Sequence, residues 1–84
     1  MKKESVKILV FQNQVLITQI EEVGGDIGEP DCKLIEPFVV SGETLTPWLV
    51  EYSTQNTFMI HSDKILTITE PNSKLLNKYE DLLK

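Results

Sequence analysis

The one histidine of this 84-residue chain, His61, is followed directly by Ser62 and Asp63, so the three residue types of a nucleophile–base–orienter relay stand side by side. Their spacing argues against that chemistry. A serine nucleophile, its base and the carboxylate that orients the base must approach one another from different directions, which consecutive residues of one turn do not do. No G-x-S-x-G elbow accompanies them. The triplet reads instead as a turn in which Ser62 or Asp63 hydrogen-bonds nearby backbone. No catalytic residue is assigned, and the chain is expected to be non-enzymatic and without a cofactor.

A second candidate is acidic. Glu21, Glu22, Asp26, Glu29 and Asp31 lie within eleven residues that contain no lysine. Hard cations such as calcium take several carboxylate oxygens, but this spacing fits no calcium-loop pattern. With Gly24, Gly25 and Gly28 as hinges, the segment reads as a solvated, self-repelling hairpin tip, and no metal site is assigned. Cys32 is the only cysteine, which rules out an intrachain disulfide and a cysteine-based zinc site within one chain and fits a reducing compartment. A third candidate is aromatic. Trp48, Tyr52 and Phe58 fall close together in sequence. Such a patch can stack unpaired bases. It can equally form a core or a subunit interface, where tryptophan and tyrosine are enriched.

Charge narrows the partners. There are 13 acidic and 8 basic residues, for a formal net charge of −5, and every basic residue is lysine. Phosphate recognition leans on arginine forks and a positive field, so nucleic acid is not the partner that composition suggests. A ring of subunits can still concentrate a few lysines around one pore. At 40% hydrophobic and 25% charged, the chain has the make-up of one globular domain spanning 1–84. So small a domain buries a modest core, and subunit interfaces would add to it. The two lysines and short apolar run at the start lack the length and cleavage site of a signal peptide, so a cytoplasmic protein is expected.

The elements that position these residues are mostly strands, within about 5–69. The first, Ser5 to Phe11, has apolar groups on both faces, which leaves its core face open. Gln12-Asn13-Gln14 follows as a tight turn, with Asn13 suited to a left-handed backbone. The second strand is Val15 to Glu22. The third runs from about Cys32 to Val40, with Pro37 marking an edge, a bulge or a break. After an irregular stretch from Ser41 to Pro47, a fourth strand begins near Trp48, is interrupted at Ser53 to Asn56 and resumes over Thr57 to His61. A very short connection leads to the fifth, Lys64 to Thr69. A helix is predicted over about 72–83: Asn72 is a good N-cap, and Leu75, Leu76, Tyr79, Leu82 and Leu83 form one apolar stripe that must pack on a barrel face or on another subunit.

Strands meeting across a brief turn, as in FMIHSDKILTI from Phe58 to Ile68, resemble the fourth and fifth strands of the Sm and Sm-like (LSm) proteins. A closer resemblance is to short proteins of tailed phages of marine cyanobacteria. It is carried by Ile8 to Phe11, by Thr46-Pro47-Trp48, and by Lys64 to Pro71 with Leu75, Leu76 and Tyr79. These resemblances imply a mainly β fold, a five-stranded, strongly bent antiparallel barrel with a C-terminal α-helix. They also imply a homo-oligomer joined through strand edges and single-stranded RNA bound near its pore, in the cytoplasm of a host cell if phage-encoded. The Arg-Gly pair of the Sm uridine site is replaced here by His61-Ser62, followed by Asp63 and Lys64. What carries over as RNA contacts is His61 and Lys64, by stacking or charge, with Trp48 as the added stacking candidate. The alternative is a structural or protein-interaction module that forms a homo-oligomer without nucleic acid.

Overall fold

Both faces of the first strand are apolar because both are covered. The computed structural model describes residues 6–24, 26–49 and 52–83. The expected strand start at Ser5, the hinge at Gly25 and the fourth-strand residues Val50 and Glu51 lie outside the described residues. Strand β1 (Val6–Val10) pairs antiparallel with β2 (Val15–Glu22) from Val10↔Val15 to Val6↔Gln19. Val6, Ile8 and Ile17 face one apolar layer, and Leu9 and Leu16 face another. Alternation along a strand sends neighbours to opposite sides, so a strand buried on both sides has no polar face to betray the core. The connecting turn is closed by Phe11 N–H donating to the Gln14 carbonyl at 2.8 Å. Asn13 does not take the left-handed backbone expected of it; the positive-φ non-glycine residues are Glu36 and Leu49.

Strand β3 (Cys32–Ser41) is the longest, and it is bent. Ile17 pairs with Phe38 and Gln19 with Ile35, so Glu36 and Pro37 together oppose Thr18 in a bulge. Pro37, which cannot donate to a ladder, thus sits where the ladder is interrupted. The bulge also changes the partner on the far edge. Strand β5 (Thr57–Ile60) pairs with the Cys32–Ile35 half of β3, and β4 (Thr44–Pro47) with the Phe38–Ser41 half. Every backbone group that the bulge frees is taken up. Glu36 N–H donates to the Asn56 carbonyl at 2.7 Å, and the Pro37 carbonyl accepts from Trp48 N–H at 3.0 Å. The Ile35 carbonyl accepts from Thr18 Oγ1 at 3.0 Å, and the Glu36 carbonyl from the Tyr79 hydroxyl at 2.8 Å.

Among the described residues there are six strands, not the five expected. The stretch Ser41 to Pro47 is a hairpin rather than an irregular segment: Ser41 and Thr44 pair, and Gly42, at φ +60°, takes the first place of a two-residue turn. Trp48 lies in the turn after β4, not at the start of a strand. After β5, Ser62–Lys64 form one 3₁₀ turn, which shortens the last strand, β6, to Thr67–Thr69. Strand β6 pairs with β1 (Leu9↔Ile68), giving the order β4-β3-β2-β1-β6. Among the described residues no pairing joins β6 to β5, so the sheet curls without closing into a barrel.

Helix α1 (Ser73–Leu82) begins as expected, with Asn72 Oδ1 accepting from Leu75 N–H at 2.8 Å. Leu75, Leu76, Tyr79 and Leu83 pack on the layer of Val6, Ile8, Ile17 and Phe38. Leu82, expected on the same stripe, is 50% exposed. The helix therefore covers a face of its own sheet. The opposite, inner layer is Leu9, Leu16 and Leu34, joined by Phe11, Ile20, Val39, Trp48, Ile60 and Ile65.

Candidate functional site

The inner layer runs out where the sheet fails to close, and a pocket of about 450 Å³ opens there. Register explains its lining. Ile20 and Glu22 share the parity of Leu16 on β2, Cys32 that of Leu34 on β3, Lys7 that of Leu9 on β1, and Ile68 pairs with Leu9. All of them therefore project to the inner side. Val23 and Ser62 complete the wall with Asp31. Four different strands and two connections contribute, and the volume lies within the range of small-ligand pockets.

Asp31 organises the rim. Its N–H donates to the Ile60 carbonyl at 3.1 Å, and its own carbonyl accepts from Val23 N–H at 3.0 Å, closing the neck of the acidic loop. Its carboxylate accepts from Ser62 N–H at 2.8 Å and from the Ser62 hydroxyl at 2.7 Å. The hydroxyl bond above all, then the backbone one, holds the Asp31 carboxyl below the usual carboxylate range, because both donors stabilise the ionised form. Lys7 forms an ion pair with Glu70 at the opposite rim. Cys32 is buried, and burial first, then the nearby Asp31 and Glu22, push its thiol upward, which keeps it protonated and a poor nucleophile.

On the other side of Asp31 and Ser62 lies a shallower hollow of about 210 Å³, shared with Gly28, Glu29, His61 and Asp63. His61 Nε2 faces the Gly28 carbonyl at 3.0 Å and must carry the proton there, since a carbonyl only accepts. The His61-Ser62-Asp63 triplet is thus no relay: Ser62 bonds to Asp31, and His61 to the loop backbone. Among the described residues, no three histidine, cysteine, aspartate or glutamate side chains are grouped to hold a metal ion.

The three residues expected at an RNA site part company. His61 and Lys64 are both exposed at the 3₁₀ turn. Trp48 is half-buried on the inner layer, with its ring edge against Phe58 at 5.2 Å and 68°. Tyr52, the third aromatic of that sequence cluster, is 83% exposed. Sequence reasoning had no handle on the Asp31–Ser62 tie, whose partners stand 31 residues apart. Lys7 and Ile68 were legible only once the β1–β6 register was known.

No helix among the described residues is long and apolar enough to cross a membrane. No curated protein matches the chain. A family model described as a family of unknown function, DUF6561, matches residues 4–84. With nearly its whole length covered, an inner pocket and a helix-backed open sheet included, the chain belongs to the DUF6561 family.

Proposed function

We propose that this chain is a non-enzymatic interaction module of the Sm-like small-barrel type that assembles with copies of itself, head to tail, through the free edges of β5 and β6. One observation carries the reading: among the described residues β4 and β5 pair only with β3 and β6 only with β1, so the sheet ends on one side in the unpaired edges of β4 and β5 and on the other in that of β6. Unpaired edge groups invite another strand. Two different edges on one subunit make a heterologous contact, which closes into a ring or runs on as a filament. Apolar side chains accompany both edges: Leu66 is 65% exposed just before β6, and Met59 is 49% exposed on β5. The Sm-like assignment draws support from the bent third strand, the 3₁₀ turn between the last two strands and the pairing of the last strand with the first. A reducing cytoplasmic setting draws support from the lone buried thiol.

Single-stranded RNA at the 3₁₀ turn is the second reading, favoured by the joint exposure of His61 and Lys64. The three carboxylates beside His61, those of Glu29, Asp31 and Asp63, oppose phosphate there.

Light scattering tests the assembly with Met59→Lys and Leu66→Lys, each of which blunts one edge with a charge. The wild type is expected as an oligomer at about 100 µM, a concentration that reveals even weak association. Each variant alone is expected as a monomer, and their equimolar mixture as a heterodimer joined through the one intact pair of edges. A monomeric wild type, or a mixture that stays monomeric while each variant remains folded, refutes the head-to-tail reading. Oligo-U anisotropy on the same samples tests the second reading.

A further inference from the structure

We infer that the inner pocket is a binding site for a small aliphatic ammonium, a primary amine on an alkyl stem, with the stem between Ile20, Val23 and Ile68 and the charged head at Glu22 and Asp31. The pocket asks for both halves of such a ligand. Its walls are the apolar side chains of Ile20, Val23, Cys32 and Ile68, and Ile68 is 53% exposed although its register aims it inward. An isoleucine at the wall of an open apolar pocket gains by being covered, at about 25 cal/mol for each Å² removed from water.

The rim sets the sign of the head group. Two carboxylates, Glu22 and Asp31, face the cavity with the single ammonium of Lys7. That ammonium is already paired with Glu70. Among the described residues no lysine pairs with either Glu22 or Asp31. Asp31 is held ionised by Ser62, with both carboxylate oxygens accepting, and each oxygen retains a lone pair for a further donor. Glu21, next to Glu22 on the strand, adds to the negative field. An alkyl carboxylate would meet repulsion at this rim, and a neutral alcohol would gain no charge term. The only charged side chain of the wall that favours an anion is Lys7, which Glu70 satisfies.

The pocket shares Ile68 with β6, one of the proposed assembly edges, but strand edges pair through backbone whereas the pocket is built of inward side chains, so the two readings are tested apart. Two sources share the ligand chemistry: a free alkyl amine and the side chain of a lysine in a peptide. The experiment titrates full-length, isotope-labelled wild type with hexylammonium, Nα-acetyl-lysine methylamide, hexanoate and hexanol, following backbone amide shifts, with light scattering of the same sample. Hexylammonium is expected to shift the amides of Ile20, Val23, Cys32 and Ile68 saturably, while hexanoate leaves them unmoved. Glu22→Gln keeps the shape of an exposed side chain and is expected to weaken hexylammonium about threefold to fivefold, the size of a partly screened charge pair. Lysine methylamide binding as well as hexylammonium identifies a peptide source; hexylammonium alone identifies a free amine. Equal binding of hexanoate or hexanol, shifts confined to other residues, or an unchanged affinity in Glu22→Gln overturns the inference. A monomeric wild type that still binds hexylammonium leaves this inference standing while removing the assembly reading.

Discussion

Tyr79→Phe is the sharpest probe of how this fold is held. The phenol is fully buried, its hydroxyl donates to the Glu36 carbonyl at 2.8 Å, and it lies 3.2 Å from the Ile35 carbonyl. Phenylalanine keeps the ring and its edge contact with Phe38, whose centroid is 5.7 Å away, so the packing term is nearly conserved. The Ile35 carbonyl keeps Thr18 Oγ1. The Glu36 carbonyl loses the hydroxyl at a bulge that has no ladder partner to replace it. A net hydrogen bond contributes about 1 kcal/mol, and leaving a buried acceptor unsatisfied costs about 1–3 kcal/mol, so the variant is expected to lose about 1–3 kcal/mol. For a domain of this size that is roughly 5–15 °C in Tm. Urea denaturation followed by Trp48 fluorescence and by circular dichroism measures it. A second readout uses pH. Burial pushes the Tyr79 hydroxyl up to about 12 from an ordinary 10. Between those values the unfolded chain has released a proton that the folded chain retains, so wild-type stability falls as pH rises from 10 toward 12. Tyr79→Phe lacks that component. A variant within about 0.3 kcal/mol of wild type, below what a hydrogen bond contributes, together with an unchanged alkaline slope, would show that the hydroxyl does not hold the bulge.

Two further perturbations address the helix and the pocket rim. Asn72→Ala removes the side-chain acceptor of Leu75 N–H and is expected to cost about 1 kcal/mol in urea denaturation, while Asn72→Ser costs only a few tenths. The Asp31 carboxyl is held below its ordinary 3.8, so its tie to Ser62 contributes stability that is complete above that value and is lost as pH falls through the lower folded value. The Ser62 amide resonance should therefore lose its protection from exchange in that acid window, and in Asp31→Asn it should show no such step.

Some elements were legible because a local signal and a tertiary requirement agreed. The Asn72 cap and the leucine stripe after it predict a helix, and α1 forms there because the sheet offers it an apolar face. Val15 to Glu22 reads as a strand from its β-branched content and is one. The misses have equally local causes. Thr44–Pro47 offers a four-residue edge strand ending in proline, too short to show alternation, although Gly42 beside it is the residue that a two-residue hairpin turn wants. Asn13 is suited to a left-handed backbone, yet its turn closes without one, whereas Glu36 takes a positive φ where the bulge and not the side chain dictates the conformation. Trp48, Tyr52 and Phe58 are close in sequence but go separate ways, since one ring pair packs inward and the third points to solvent. The pocket was the least legible feature. Proximity of Lys7, Asp31, Ser62 and Ile68 is a property of sheet curvature and register, which no short window of sequence contains.

The bulge at Glu36 and Pro37 also makes the domain indivisible. Its carbonyls are satisfied from opposite directions, by Thr18 on the neighbouring strand and by Tyr79 on the helix, and its Glu36 N–H by Asn56 on a third segment. A chain that has formed only the first three strands would keep the Thr18 bond but leave the Glu36 carbonyl and N–H exposed to water or unsatisfied, so it gains little from bending β3 early. The curled sheet, the helix and the loop before β5 must therefore open together. Slow amide exchange in β3 is then expected to report the stability of α1 as faithfully as amides within the helix itself.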